Sequence, residues 1–189
     1  MLSHKVDLAQ IKEVNDPAET EVTIDGAAYQ SLKAMCQHEG ITLNVAAQFA
    51  WHKLIQSYSA DTETLVGTTV SGRDVPVEGV EGSVGLYINT LPLMVDWSDT
   101  ERTISDTLQG IQQDIAALNT HSAVSLASLQ YEGERLFHSL FVFENYPKPA
   151  SDDEVQDSDQ LIESGARFRD AIEKADYPLS VIAYEQMGS

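Results

Sequence analysis

The chain has 189 residues, enough for one domain or one lobe of something larger with a sizeable buried core. Its 42% hydrophobic and 22% charged content is that of a soluble globular protein, but a net charge of −19 with only 11 Lys and Arg argues against nucleic acid or an anionic membrane as partner. A single cysteine, Cys36, excludes an internal disulfide and a multi-thiolate metal site, and no apolar run is long enough to span a bilayer, so a cytoplasmic chain is the default.

Residues 1–20 are polar and acidic, hold Pro17, and read as a lead-in or linker to a domain over 21–189. Val22-Thr23-Ile24 has strand composition. Asp25 then predicts the cap of a helix from about Ala27 to Glu39, with Leu32, Met35 and Cys36 inward and Gly40 as its stop. Asn44 is placed to cap a second helix to about Tyr58. In it Ala47, Trp51, Leu54, Ile55 and Tyr58 form one apolar stripe, while Val45 and Phe49 fall on another face, as in a buried helix.

Residues 65–70 (LVGTTV) are a strand by composition, running into Ser71-Gly72-Arg73-Asp74 and a loop that holds Pro76, Gly79 and Gly82. The stretch from Val84 to Val95 is uncharged and rich in β-branched and aromatic residues, which predicts a strand covered on both faces of a sheet. Pro92 cannot donate to a ladder, so the strand must leave regular pairing, bulge or reach an edge there. Asn89 is the anomaly, since a buried amide costs free energy unless it is paired. Either it is a satisfied core residue, or it pins a loop that lines a functional channel.

Ser98 with Glu101 has the form of a capping box. It opens a helix with Ile104, Leu108, Ile111, Ile115 and Leu118 on one face. A short helix is expected from Ser125 to Tyr131, a strand over residues 140–143 (LFVF), and a last strand over 179–184. Between those strands, residues 151–163 carry six acids, and the surrounding 148–170 read as a solvated, mobile loop. Strands interleaved with helices give an α/β (α+β) class, a mixed sheet flanked by helices.

The residues offer no self-contained active site. No histidine pair has metal spacing, no glycines form a phosphate-cradling loop, and there is no G-x-S-x-G elbow. His4, His38, His52, His121 and His138 read as surface or satisfied polar residues, and Cys36 as a small core residue. Arg73 is set apart by its place at a strand end after Ser71-Gly72, where a guanidinium is held against the sheet or ties down the loop that follows.

Four stretches resemble the late motifs of condensation domains from non-ribosomal peptide synthetases. These are Val70-Ser71-Gly72-Arg73 with Val84-Gly85-Leu86-Tyr87-Ile88-Asn89-Thr90-Leu91-Pro92-Leu93, residues 121–130 (HSAVSLASLQ), residues 140–147 (LFVFENYP), and Tyr177-Pro178-Leu179. Met94 stands where that family usually has Arg. The resemblance implies a fold of two lobes, each similar to a chloramphenicol acetyltransferase subunit, with a tunnel between them. That tunnel admits phosphopantetheine arms from a donor and an acceptor carrier protein. It further implies that the catalytic histidine sits in a His-His-x-x-x-Asp-Gly motif of the first lobe, which this sequence lacks. The chain then resembles the C-terminal lobe alone and binds no cofactor directly. Ser71, Gly72, Arg73 and Asn89 would contribute to the tunnel wall or floor, and no residue here is catalytic. The implied partners are an N-terminal lobe and two carrier proteins. An isolated lobe would also tend to self-associate through the surface its partner covers. Two other readings stay open, a carrier-docking module without catalysis and a stand-alone acyltransferase.

Overall fold

The computed structural model describes residues 8–11, 14, 17–71, 87–130, 134–144 and 177–185. Four strands form one mixed sheet: β1 (Glu63–Ser71), β2 (Ile88–Asp96), β3 (Ser139–Glu144) and β4 (Leu179–Tyr184), in the order β2-β1-β3-β4. β1 pairs antiparallel with β2, from Glu63 opposite Asp96 to Ser71 opposite Ile88, and parallel with β3; β3 and β4 are also parallel. The strands expected over 65–70, 140–143 and 179–184 thus form where their composition placed them, and the one expected over 84–95 is β2, with residues 84–86 outside the described residues.

β2 corrects one expectation. It lies at the edge of the described sheet, and only one of its faces is buried: Leu91, Leu93 and Val95 point inward, whereas Met94 is 53% exposed and Ile88 is also exposed. The uncharged run therefore hides a period-two pattern that exposure reveals and composition does not. Pro92 faces Gly67 in unbroken register, so the missing N–H is accommodated by the edge and no bulge is needed.

α1 (Gly26–Glu39), α2 (Leu43–Ser59) and α3 (Ile104–Thr120) cover the sheet face that carries Thr64, Val66, Thr68 and Val70. Cys36 of α1, Val45 and Ala46 of α2, Leu93 and Val95 of β2, and Leu108, Ile111 and Ile115 of α3 make the core. Gly40 ends α1 with φ 67°, a left-handed conformation that favours glycine, and its N–H reaches back to carbonyls of the last turn. Asp25 stands at the start of α1 but makes no side-chain capping bond. Residues 21–25 are not a strand; Val22 is 83% exposed and pairs with no strand among the described residues.

α2 is capped by Thr42, whose hydroxyl accepts from Val45 N, and not by Asn44. The stripe predicted for it is also displaced. Val45, Ala46, Gln48 and His52 are buried, whereas Leu54 and Tyr58 are exposed. α2 turns a partly polar face to β1 because β1 offers Thr64 and Thr68 there.

The capping box of α3 exists, but five residues beyond the predicted one. Thr103 Oγ1 accepts from Asp106 N, and the Asp106 carboxylate accepts from Thr103 N. Ser98 instead donates its N–H to Asp96 Oδ1 in the turn after β2. We expect Thr103→Ala to cost about 1 kcal/mol in urea unfolding and Ser98→Ala almost nothing, the reverse of what the sequence pattern implies. α4 (Leu126–Leu129) is a single turn. The loop from Gly72 and the acidic stretch 148–170 lie outside the described residues.

Candidate functional site

Of the residues singled out in the sequence, Ser71 and Asn89 lie at the end of the sheet where β1 finishes and β2 begins. Val70 pairs with Asn89 and Ser71 with Ile88, so Ser71 and Asn89 sit at one sheet end but on opposite faces. Ser71 is exposed. Gly72 and Arg73 lie outside the described residues.

Asn89 is half-buried on the helix-covered face, and its amide is fully used. Its Nδ2 donates to Ser122 O at 2.8 Å and to Val124 O at 2.6 Å, while Oδ1 accepts from Thr90 N at 2.8 Å. These bonds fasten the segment after α3 to the start of β2. Asn suits this position because one planar group supplies two donors toward two carbonyls and one acceptor toward its own strand. The anomaly in the strand is thus a pin, and the segment it pins is the one whose sequence begins with His121.

His121 itself is occupied locally. It caps the C-terminus of α3 with its ring Nδ1 2.8 Å from Ala117 O and 3.0 Å from Thr120 Oγ1. His138 immediately precedes β3. Cys36 is buried in the core and its thiol is pushed up by that burial, which suits a packing role. Among the described residues no group of His, Cys, Asp and Glu is placed to hold a metal ion, and no helix is long and apolar enough to cross a membrane.

The buried seam between α2 and β1 was not anticipated. Gln48 Nε2 bonds to Thr68 Oγ1, and His52 Nδ1 lies 2.7 Å from Thr64 Oγ1, which also accepts from Trp97 Nε1 at 2.9 Å. Trp51 Nε1 donates to Ser139 Oγ at 2.9 Å and ties the same helix to β3. A signal was available: Asn44, Gln48 and His52 recur every four residues, a polar ridge on one helix face.

Burial lowers the His52 pKa to about 4 from an ordinary 6.5. The unfolded chain therefore binds the proton more readily, and stability is complete above pH 6.5 and declines as pH falls toward 4. Linkage gives a loss of about 2 kcal/mol between pH 7 and pH 5. His52→Gln should flatten urea-unfolding stability across this window. A wild-type profile with no decline there would contradict the assignment. Hydrogen bonds hold the carboxyls of Glu39, Asp96, Asp106 and Glu185 low, so their contributions are lost only at more acid pH.

Comparisons with known proteins agree with this architecture. The family model described as Condensation domain matches residues 8–189. The chain is 37% identical over 186 residues to N-(5-amino-5-carboxypentanoyl)-L-cysteinyl-D-valine synthase of Penicillium rubens, covering 96% of this chain and 5% of that protein. It is 40% identical over 162 residues to the synthase of the same name from Amycolatopsis lactamdurans, covering 82% of this chain and 4% of that one. The chain thus spans about a twentieth of the length of these relatives. Among solved structures, the first condensation domain of the CDA synthetase superposes with a TM-score of 0.54 at 16% identity, covering 62% of this chain and 28% of that one. That likeness extends to the fold: a mixed sheet and helices in the chloramphenicol-acetyltransferase-like arrangement of these domains. The chain belongs to the condensation-domain family of non-ribosomal peptide synthetases.

Proposed function

We propose that this chain is the C-terminal lobe of a condensation domain, which joins aminoacyl or peptidyl groups carried on phosphopantetheine arms by forming an amide bond. It shapes one wall of the passage and relies on an N-terminal lobe for the histidine that handles the proton. The lobe proper runs from about residue 21, and residues 1–20 lead into it. The observation that carries the reading is a juxtaposition of two facts. The family match runs from residue 8 to 189, yet the sequence has no His-His-x-x-x-Asp-Gly anywhere. Coverage of 28% of a solved condensation domain agrees with a chain that makes up part of such a domain.

Within this reading Asn89 positions and does not catalyse. Its three hydrogen bonds leave no free donor for a substrate, but they fix where the 122–124 segment runs. Ser71, Gly72 and Arg73 contribute to the wall or floor through the loop they begin. Donor and acceptor carrier proteins are the partners. At −19 the chain would meet an acidic carrier through an apolar or locally basic patch, because facing like charges cost affinity.

The test supplies loaded carrier proteins to the chain alone and to the chain with a first lobe carrying the histidine motif. Dipeptidyl thioester is expected only in the second case. Product from the chain alone would move the chemistry into these residues and overturn the reading. A docking role without catalysis predicts instead that holo carrier binds the chain tightly with no first lobe present, and that adding the lobe yields no product.

A further inference from the structure

We propose that the seam between α2 and β1 is an internal hydration site, a short file of ordered water held along the ridge Asn44–Gln48–His52. Gln48 and His52 are fully buried. Each of the three side chains has one buried polar atom with no hydrogen-bond partner: Asn44 Oδ1, Gln48 Oε1 and His52 Nε2. They recur at intervals of four residues, so each lies one turn, about 6 Å along the axis, from the next. Buried polar groups are almost always paired, and an isolated one costs about 1–3 kcal/mol. Three in a row along one ridge are therefore not explained as three independent lapses.

Chemistry selects the ligand. Asn44 Oδ1 and Gln48 Oε1 are carbonyl oxygens, which accept and cannot satisfy one another. What they need is a small neutral molecule with two donors. Water has two, and one molecule held by two O–H···O bonds of about 2.8 Å bridges two such oxygens where the side chains lean toward each other from adjacent turns. A cation is disfavoured because, among the described residues, the ridge bonds to neutral hydroxyls, Gln48 to Thr68 and His52 to Thr64, and to no carboxylate. His52 fits either way. If Nδ1 donates to Thr64, Nε2 accepts from water; if Thr64 donates to Nδ1, Nε2–H donates to it. Gln48 Nε2 donates to the Thr68 hydroxyl, which leaves Oε1 as the amide atom without a partner.

The test is a crystal structure of the whole chain at a resolution that shows water, paired with protein–water NOE measurements in solution. Density within hydrogen-bond distance of both Asn44 Oδ1 and Gln48 Oε1 is expected, with matching long-lived NOEs. Gln48→Met, similar in volume but without the acceptor, should remove that water and its NOE. A seam that is dry in wild type, with the three atoms bonded to protein groups, would overturn the proposal, and this outcome is readable even if the variant does not fold.

Discussion

Gly67→Val is expected to destabilise the protein by roughly 3 kcal/mol, with Gly67→Ala somewhat less damaging. A Cβ at residue 67 would lie 2.1 Å from Phe137 Cε2 and 2.5 Å from its Cζ, well inside van der Waals contact. The ring has little room to retreat. Phe137 is buried and stacks on Tyr177 with centroids 5.3 Å apart, and Arg135 sits over the other ring of that pair at 5.5 Å. Glycine at this position is therefore a matter of close approach: it lets an aromatic ring press on the middle of β1, on the sheet face the helices leave open. A double-mutant cycle isolates the contact. In a Phe137→Ala background, Gly67→Ala should cost nothing or help slightly, because alanine loses less backbone freedom than glycine in a strand. If Gly67→Ala costs as much with Phe137 absent as with it present, the ring is not what requires the glycine.

Asn89→Ala should cost about 2–3 kcal/mol, since it removes three hydrogen bonds and strands two carbonyls that it satisfied. Ser122, whose carbonyl it binds, is itself buried, so water cannot simply take the place of the amide. Asn89→Asp keeps the shape but exchanges two donors for acceptors aimed at carbonyl oxygens, and should be at least as costly as alanine near neutral pH. Hydrogen exchange separates a local pin from general weakening. Amides of residues 122–125 should lose protection well before those of α1, which is anchored independently through Cys36 and by Lys33 bonded to Glu185. A change below about 0.5 kcal/mol with unaltered exchange at 122–125 would mean that the segment holds its place without Asn89. In a reconstituted condensation domain the same substitution is expected to slow product formation without abolishing it, because Asn89 acts through the position of the segment it fastens.

Several elements were legible in the residues because local chemistry settles them. The apolar repeat of α3 needs only a helix to become one face, and Leu108, Ile111 and Ile115 are buried as the period requires. Gly40 ends α1 because few other residues accept its backbone conformation. β1, β3 and β4 have the β-branched and aromatic content that suits a pleated surface. The motif order from Val70 to Leu179 was sufficient to name the family without any coordinates.

What the chain could not announce by itself is which neighbour each face meets. Strand order is a property of the whole sheet, so an uncharged run such as β2 reads as central even though, among the described residues, it lies at an edge with Met94 outward. The spacing of Gln48 and His52 marks a polar ridge on α2, but whether that ridge is solvated or buried depends on β1 offering threonines opposite it. Caps behave alike: Thr103 and Ser98 both have acceptors and acids nearby, and only the actual start of α3 decides between them. Asn89 is the clearest case. Its residue type made it conspicuous, but the carbonyls of Ser122 and Val124 that give it a purpose come from 33 and 35 residues away, brought within bonding distance only when the sheet and α3 have packed.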